Sequence, residues 1–220
     1  MLRGGSWRSH GSLLMPTVLI ATSNAGKLRD FAGAAGPLGV MISGIPDFRL
    51  LPEVVEDGLT FEANARKKAM EYSLHAPGEI VLADDSGLEV DALNGAPGVH
   101  SARYAALGAG HDTSTGNSSD AANNARLLRE LTQVAPERKT ARFVCSLAAA
   151  RDGEVLAAFS AKAEGLILAA PQGTQGFGYD PLFFFPGLNK TFAELSAEEK
   201  ALVSHRGSAF RKFLEWIKCQ

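Results

Sequence analysis

Ile80-Val81-Leu82-Ala83 is an apolar run of strand length, and it passes directly into Asp84-Asp85-Ser86-Gly87. Neighbouring side chains of an extended chain point to opposite faces, so Asp84 and Asp85 are expected to do different jobs, one of them facing a cleft. Carboxylates at the C-terminal end of a strand, followed by Ser-Gly, suit a hard divalent cation such as Mg²⁺, which takes oxygen ligands and keeps several waters. Asp-Asp-Ser-Gly also makes an ordinary turn, so the rest of the chain has to choose between the two.

Toward the N-terminus, Thr17-Val18-Leu19-Ile20-Ala21 is rich in strand formers and ends in Thr22-Ser23-Asn24-Ala25-Gly26-Lys27, before a helix expected from near Leu28. Such a junction can offer helix N-terminal amides to an anion, with Lys27 adding a point charge and Asn24 an amide. It lacks the glycine pattern of a P-loop or a dinucleotide fingerprint, so a turn carrying a solvated lysine is the competing reading. A second strand is expected around Val40 to Ser43, then a loop from Gly44 to Gly58 containing Glu53, Glu56 and Asp57. A helix follows, with Thr60 as N-cap and Glu62 in its positively polarised first turn. Phe61, Ala65, Ala69 and Tyr72 recur at helical spacing as its buried stripe, while Asn64 and Lys68, four apart, share another face. Lys68 neutralises phosphate charge if that face overlooks the aspartates, and is a surface lysine if it faces solvent.

Beyond the aspartates, Leu88-Glu89-Val90-Asp91-Ala92-Leu93 alternates as a strand does, and Asn94-Gly95-Ala96-Pro97-Gly98 closes it with turn residues. The small, polar segment from Ala105 to Ser119 reads as a mobile surface loop before a helix from Asp120 to Leu131, with Ala121, Ala125, Leu128 and Leu131 as its apolar positions. Thr140 to Ala150 and Glu154 to Glu164 read as two strands turning at Arg151-Asp152-Gly153. Gly173-Thr174-Gln175-Gly176-Phe177-Gly178-Tyr179-Asp180-Pro181 is a glycine-dense loop with two aromatics and a carboxylate, next to the strand Leu182-Phe183-Phe184-Phe185. Its glycines let backbone approach a flat ligand on which an aromatic stacks, although Tyr179 also fits a core position. Ser196 and Glu199 form a capping box for a helix carrying Lys200. Ser204-His205-Arg206-Gly207 interrupts the helical pattern, which resumes from Ala209 to Ile217, and concentrates hydrogen-bond donors there.

A chain of 220 residues, 45% hydrophobic and 21% charged, can bury a sizeable core as one large α/β domain or two closely joined lobes. The 22 Lys and Arg against 24 Asp and Glu, a net charge of -2, argue against a broad nucleic-acid footprint but allow a small phosphate pocket. Cys145 lies in an apolar run and Cys219 is penultimate, so neither belongs to a metal-spaced cluster; the pair suits a reducing, cytoplasmic setting. No stretch reaches transmembrane length, and Leu13-Leu14-Met15 is too short for a signal-peptide core. Residues 1–14 are expected to be a disordered extension and 15–220 a single α/β domain.

Taken together, these motifs resemble the inosine triphosphate pyrophosphatase family, the non-canonical purine NTP (dITP/XTP) pyrophosphatases. Four stretches carry the resemblance: Thr22 to Lys27, Ala83 to Leu88, Phe177 to Pro181, and Ser204 to Gly207. Gly95-Ala96-Pro97-Gly98 with Ser101-Ala102-Arg103-Tyr104 adds a fifth, and their joint order is far more specific than any one of them. The resemblance implies an α/β fold with a long mixed twisted sheet flanked by helices, two lobes around a central substrate cleft, and a homodimer. It implies that Asp85 is the catalytic carboxylate and that Glu56 and Asp85 hold Mg²⁺. Thr22, Ser23, Asn24, Ala25, Gly26, Lys27, Lys68 and Ser86 would bind the triphosphate, and Phe177, Gly178, Tyr179, Asp180, Lys200, His205 and Arg206 the nucleoside. The implied reaction converts ITP, dITP or XTP and water to the monophosphate and pyrophosphate, with neither nucleic acid nor membrane as partner.

Hydrogen bonding gives base choice a physical basis. Hypoxanthine and xanthine carry an acceptor O6 where adenine has a donor amine, so donors such as His205 and Arg206 favour the oxo bases. Guanine shares that O6, and its exclusion has to come from the exocyclic 2-amino group. Two other readings stay open on sequence: a pyrophosphatase for another altered nucleotide, and a nucleotide-binding regulator. The second gains little from the clustered carboxylates Glu56, Asp84 and Asp85 without a metal.

Overall fold

The computed structural model describes residues 17–35, 40–107 and 117–219; the expectation for residues 1–14 and the middle of the expected 105–119 loop fall outside them. A seven-stranded mixed sheet organises the described residues, in the order β2-β1-β3-β4-β5-β6-β7. Strands β1 (Thr17–Ile20), β2 (Met41–Gly44) and β3 (Val81–Val90) are parallel. Parallel neighbours need crossover connections, and α1 (Ala25–Ala35) joins β1 to β2 while α2 (Phe61–Ser73) joins β2 to β3. The remaining pairings, through β4 (Thr140–Arg151), β5 (Glu154–Ile167), β6 (Phe183–Phe185) and β7 (Lys190–Thr191), are antiparallel. Asp152 and Gly153 both take left-handed φ, 51° and 85°, as a two-residue hairpin turn requires.

The period of two along β3 separates the layers. Leu82 packs with Phe31 of α1 and with Phe210 and Phe213 of the C-terminal helix α5 (His205–Ile217) on one face. Val81 and Ala83 pack with Ala65, Ala69 and Tyr72 of α2 on the other, which is the stripe expected for that helix. A further core gathers at the far end of the long strands, where Leu88, Val90, Phe143, Phe183 and Phe192 meet Tyr104 and Leu127. The two ends of β3 and β4 therefore belong to different lobes of one open sheet.

Several local expectations change. The strand does not end at Ala83: β3 runs unbroken through Asp84-Asp85-Ser86-Gly87, paired opposite Leu147, Ser146, Cys145 and Val144. The turn propensity of Asp-Ser-Gly is overridden because β4 offers an uninterrupted ladder along its whole length. The alternation expected up to Leu93 stops at Val90, where Asp91–Leu93 tightens into a 3-10 turn. Helix α1 starts at Ala25 and not near Leu28, because the Asn24 side-chain oxygen accepts from the Gly26 and Lys27 amides at 2.8 and 3.1 Å. In α3 (Asp120–Glu130) the buried face holds Asn123 and Leu127 and leaves Ala121 and Ala125 exposed. Asn123 is tolerated inside because it bonds the Ala105 amide and the Ala102 carbonyl, at 2.8 and 3.2 Å. The segment expected to be a loop from Ala105 begins inside a 3-10 stretch, Gly98–Ala106. Helix α4 (Ala197–Val203) carries the expected Ser196 and Glu199 capping box, and Ser204 alone separates it from α5, whose Gly207 amide it caps at 3.1 Å.

Gly87 shows how closely the 3-10 stretch Gly98–Ala106 packs against this strand. A methyl group there would lie 2.3 Å from Ser101 Oγ and 2.7 Å from the Gly98 carbonyl. The Gly87→Ala substitution is expected to destabilise the fold by about 1–3 kcal/mol through overpacking, read as a shift of the denaturant midpoint; an unchanged midpoint would show that the 3-10 stretch yields freely.

Candidate active site

Strand β1 stops at Ile20, opposite Leu82, and its last rung to β3 is the bond from the Ala21 amide to the Leu82 carbonyl at 2.9 Å. Past that rung the edge of β3 opens into a cleft of about 630 Å³, a size that fits a small-molecule substrate. Both adjacent carboxylates border this cleft although they leave the strand on opposite faces.

On the α1 face, Asp84 is buried and its Oδ1 lies 3.1 Å from Lys27 Nζ, while Oδ2 accepts from Ser86 Oγ at 3.0 Å and lies 3.6 Å from Arg206 Nε. Burial alone would raise the Asp84 carboxyl, but Lys27 and Arg206 outweigh it and hold the group well below the usual carboxylate range. Asn24 turns its oxygen back on its own helix, so the Gly26 and Lys27 amides are already bonded. The side chains of Thr22, Ser23, Asn24 and Lys27 line the cleft in place of free helix-end amides; Ala25 and Gly26 do not line it.

On the α2 face, Asp85 Oδ2 accepts from Asn64 Nδ2 at 3.0 Å. The buried Lys68 ammonium sits 3.0 Å from Glu56 Oε2 and 3.6 Å from Asp85 Oδ1, so Lys68 belongs to the cleft and is not a surface lysine. Desolvation disfavours the Lys68 charge, yet Asp85 and Glu56 hold its pKa above the ordinary lysine value. For Asp85 the balance runs the other way: burial, with Glu56 adding to it, pushes the carboxyl up against the pull of Lys68. A raised carboxyl in a cleft is a candidate proton acceptor.

The opposite wall comes from the C-terminal third. Phe177 is half-buried, its ring lying against Gly26, with the Lys200 ammonium and Arg206 guanidinium 5.1 and 5.4 Å from the ring centre. Asp180 Oδ2 accepts from the Phe177 amide at 2.9 Å and from Lys200 Nζ at 2.6 Å. Lys200 therefore meets the site through Asp180 and Phe177 and not as a lining residue. Tyr179 takes the core position: it is buried, and its hydroxyl donates to the Ser101 carbonyl at 2.8 Å. Arg206 is clasped by Asp30 at 2.5 Å and by Ser86 Oγ at 2.7 Å. His205 stacks on Phe143, ring centres 4.7 Å apart, and its Nδ1 is buried with no hydrogen-bond partner. Burial, reinforced by Arg206 and Lys200, depresses the His205 pKa well below the usual histidine value, so the ring is neutral at pH 7.

Sequence reasoning assigned no site role to Asp30, Asn64 or Asp120. Asp30 lies three residues after Lys27 on α1 and Asn64 four before Lys68 on α2, spacings that place each on the face of its basic neighbour. Nothing local marks Asp120, whose partner is the distant Gly178 amide. Among the described residues no three His, Cys, Asp or Glu side chains gather into a metal cage. Glu56 and Asp85 nonetheless converge on one cation, the Lys68 ammonium. Two convergent carboxylates fit Mg²⁺, which completes its shell with water and phosphate oxygens.

A profile described as the Ham1 family matches residues 18–216. The chain is 48% identical over 195 residues to a dITP/XTP pyrophosphatase of Exiguobacterium sibiricum, covering 89% of this chain and 93% of that one. It is 49% identical over 203 residues to a dITP/XTP pyrophosphatase of Geobacillus kaustophilus, covering 91% and 94%. The solved structure of the Staphylococcus aureus Ham1 protein superposes with a TM-score of 0.74 at 38% identity, over 92% of this chain and 98% of that chain.

Because the unfolded chain protonates His205 near its ordinary pKa while the folded protein resists, acid favours unfolding. Stability from this group is complete above about pH 6.5 and falls as the pH drops below it, by at most about 1.4 kcal/mol per pH unit. Denaturant melts between pH 7 and 5 should show that slope, and His205→Phe, which keeps a ring against Phe143, should flatten it; an equal slope in both proteins would place the titration elsewhere.

Proposed function

Because this chain belongs to the Ham1 family, we propose that it hydrolyses non-canonical purine nucleoside triphosphates, dITP, ITP and XTP, to the monophosphate and pyrophosphate. The observation that carries the reading is one cleft in which the carboxylates Glu56 and Asp85 share Lys68 along one wall while Phe177, His205 and Arg206 stand along another. The first group suits a polyanion handled with a divalent cation, and the second suits a flat base with acceptor edges.

In this reading Lys27 and Lys68 neutralise triphosphate charge, Thr22, Ser23 and Asn24 donate to its oxygens, and Ser86 lies beside them. Glu56 and Asp85 would hold Mg²⁺, which when bound polarises a phosphoryl oxygen and offsets charge on the leaving pyrophosphate. Asp85, its carboxyl raised by burial and steadied by Asn64, takes a proton from the attacking water as the bond between the α- and β-phosphoryl groups breaks. Phe177 stacks on the purine, and the neutral His205 still has one ring N–H to give to O6 or to the base edge. Asp180 and Lys200 support the stacking wall. Assembly as a homodimer, residues 15–220 as the catalytic unit and a reducing cytoplasmic setting are parts of the same proposal; the buried free thiol of Cys145, its pKa pushed up to about 12, is compatible with the last. Among the described residues no helix is long and apolar enough to cross a membrane.

Pyrophosphate release is the test, assayed with and without Mg²⁺ over ITP, dITP, XTP, GTP, ATP and dUTP. Release should require the metal and favour the first three nucleotides, and Asp85→Asn should lower turnover by about 10²-fold or more with affinity little changed. Equal specificity constants for ATP and ITP would defeat the base argument, dUTP as the best substrate would favour the pyrimidine reading, and near-normal turnover of Asp85→Asn would defeat the catalytic assignment.

A further inference from the structure

Phe177 lies between Gly176 and Gly178, whose φ angles of 76° and 63° are left-handed. Flanking glycines leave a backbone with many accessible conformations, so a stacking ring on such a loop needs to be held from outside it. The peptide before Phe177 is held from within the loop, where the Phe177 amide donates to Asp180. The residue after it is held by α3. Asp120 Oδ2 accepts the Gly178 amide at 2.6 Å, and Asn124 Nδ2 donates to the Gly178 carbonyl at 3.0 Å.

We propose that Asp120 and Asn124 are positioning residues for the purine, acting on it through the Gly178 backbone and the Phe177 ring. The inference rests on the reading of the cleft as a purine nucleotide site. Asp120 is exposed at the start of α3, so its short bond to Gly178 adds little to the core. Asn124 commits its amide to Gly178 while its own oxygen Oδ1 stays buried and unpartnered, an arrangement that folding alone disfavours. Neither residue is bonded to Lys27, Lys68, Glu56 or Asp85. The grip therefore governs where the base sits and leaves the phosphate end alone. It also gives the stacking loop a second anchor beside Asp180, one that comes from the other side of Phe177 and from a different element.

Steady-state kinetics with dITP and Mg²⁺ separate these roles. Asp120→Ala and Asn124→Ala should each raise KM for dITP by about tenfold and change kcat by less than about threefold. Inhibition by pyrophosphate, which reports only the phosphate end, should be unchanged, and Asp120→Asn, which keeps an acceptor oxygen, should recover part of the loss. In a Phe177→Ala background, where KM is already raised, Asp120→Ala should add nothing, since both changes remove the same contact. A full additional effect in that background would overturn the proposal, as would weakened pyrophosphate inhibition or an unchanged KM in both alanine variants of an active enzyme. A wild-type protein that releases no pyrophosphate from dITP would instead defeat the reading of the cleft and take the inference with it.

Discussion

Two neighbouring carboxylates on a buried strand leave in opposite directions, and each must find positive charge on its own side of the sheet. Asp84 and Asp85 meet that demand with separate partners: Lys27 and Arg206 for the first, Lys68 and the Asn64 amide for the second. An uncompensated buried carboxylate costs several kcal/mol, so the strand can persist only if α1, α2 and α5 all dock where they do. The same ion pairs that make the strand tolerable bring residues from the first, second and last parts of the chain to one cleft. Stability and site geometry thus share one electrostatic constraint.

The second wall obeys a related rule. Asp30 clasps Arg206 and approaches Lys200, which in turn neutralises the fully buried Asp180. Burial raises the Asp180 carboxyl against the pull of Lys200, and that pair fixes the amide of Phe177. Burial, reinforced by the surrounding cations, keeps His205 neutral, so the wall presents one charged donor, Arg206, beside an uncharged ring. For a purine with an acceptor edge, that distribution supplies hydrogen bonds without placing an extra cation against an apolar base.

Much of the architecture could be read locally. The stripe of Phe61, Ala65, Ala69 and Tyr72, the Thr60 and Ser196 caps and the turn at Asp152-Gly153 depend on neighbours a few residues apart, and each appears as expected. Local reasoning failed where a distant segment competed with propensity. The Asp-Asp-Ser-Gly run is extended because β4 pairs with it, and the buried face of α3 contains Asn123 because the chain near Ala105 needs its two hydrogen bonds. The motif resemblance named Lys200 among the nucleoside-binding residues, and only the fold shows that its ammonium bonds Asp180; the resemblance passed over Asp30 and Asn64, whose importance lies entirely in what they touch.

The amino-acid sequence by itself determined most of the element types, the caps, the family resemblance and the candidate chemistry, because backbone propensity, side-chain period and residue type act over a few positions. Tertiary structure alone decided that Asp84 and Asp85 serve different partners, that Lys68 faces Asp85 and not water, and that Gly178 is gripped by Asp120 and Asn124. Those outcomes depend on which faces meet across the sheet and on the dielectric they create, and both arise only when segments far apart in the chain pack together.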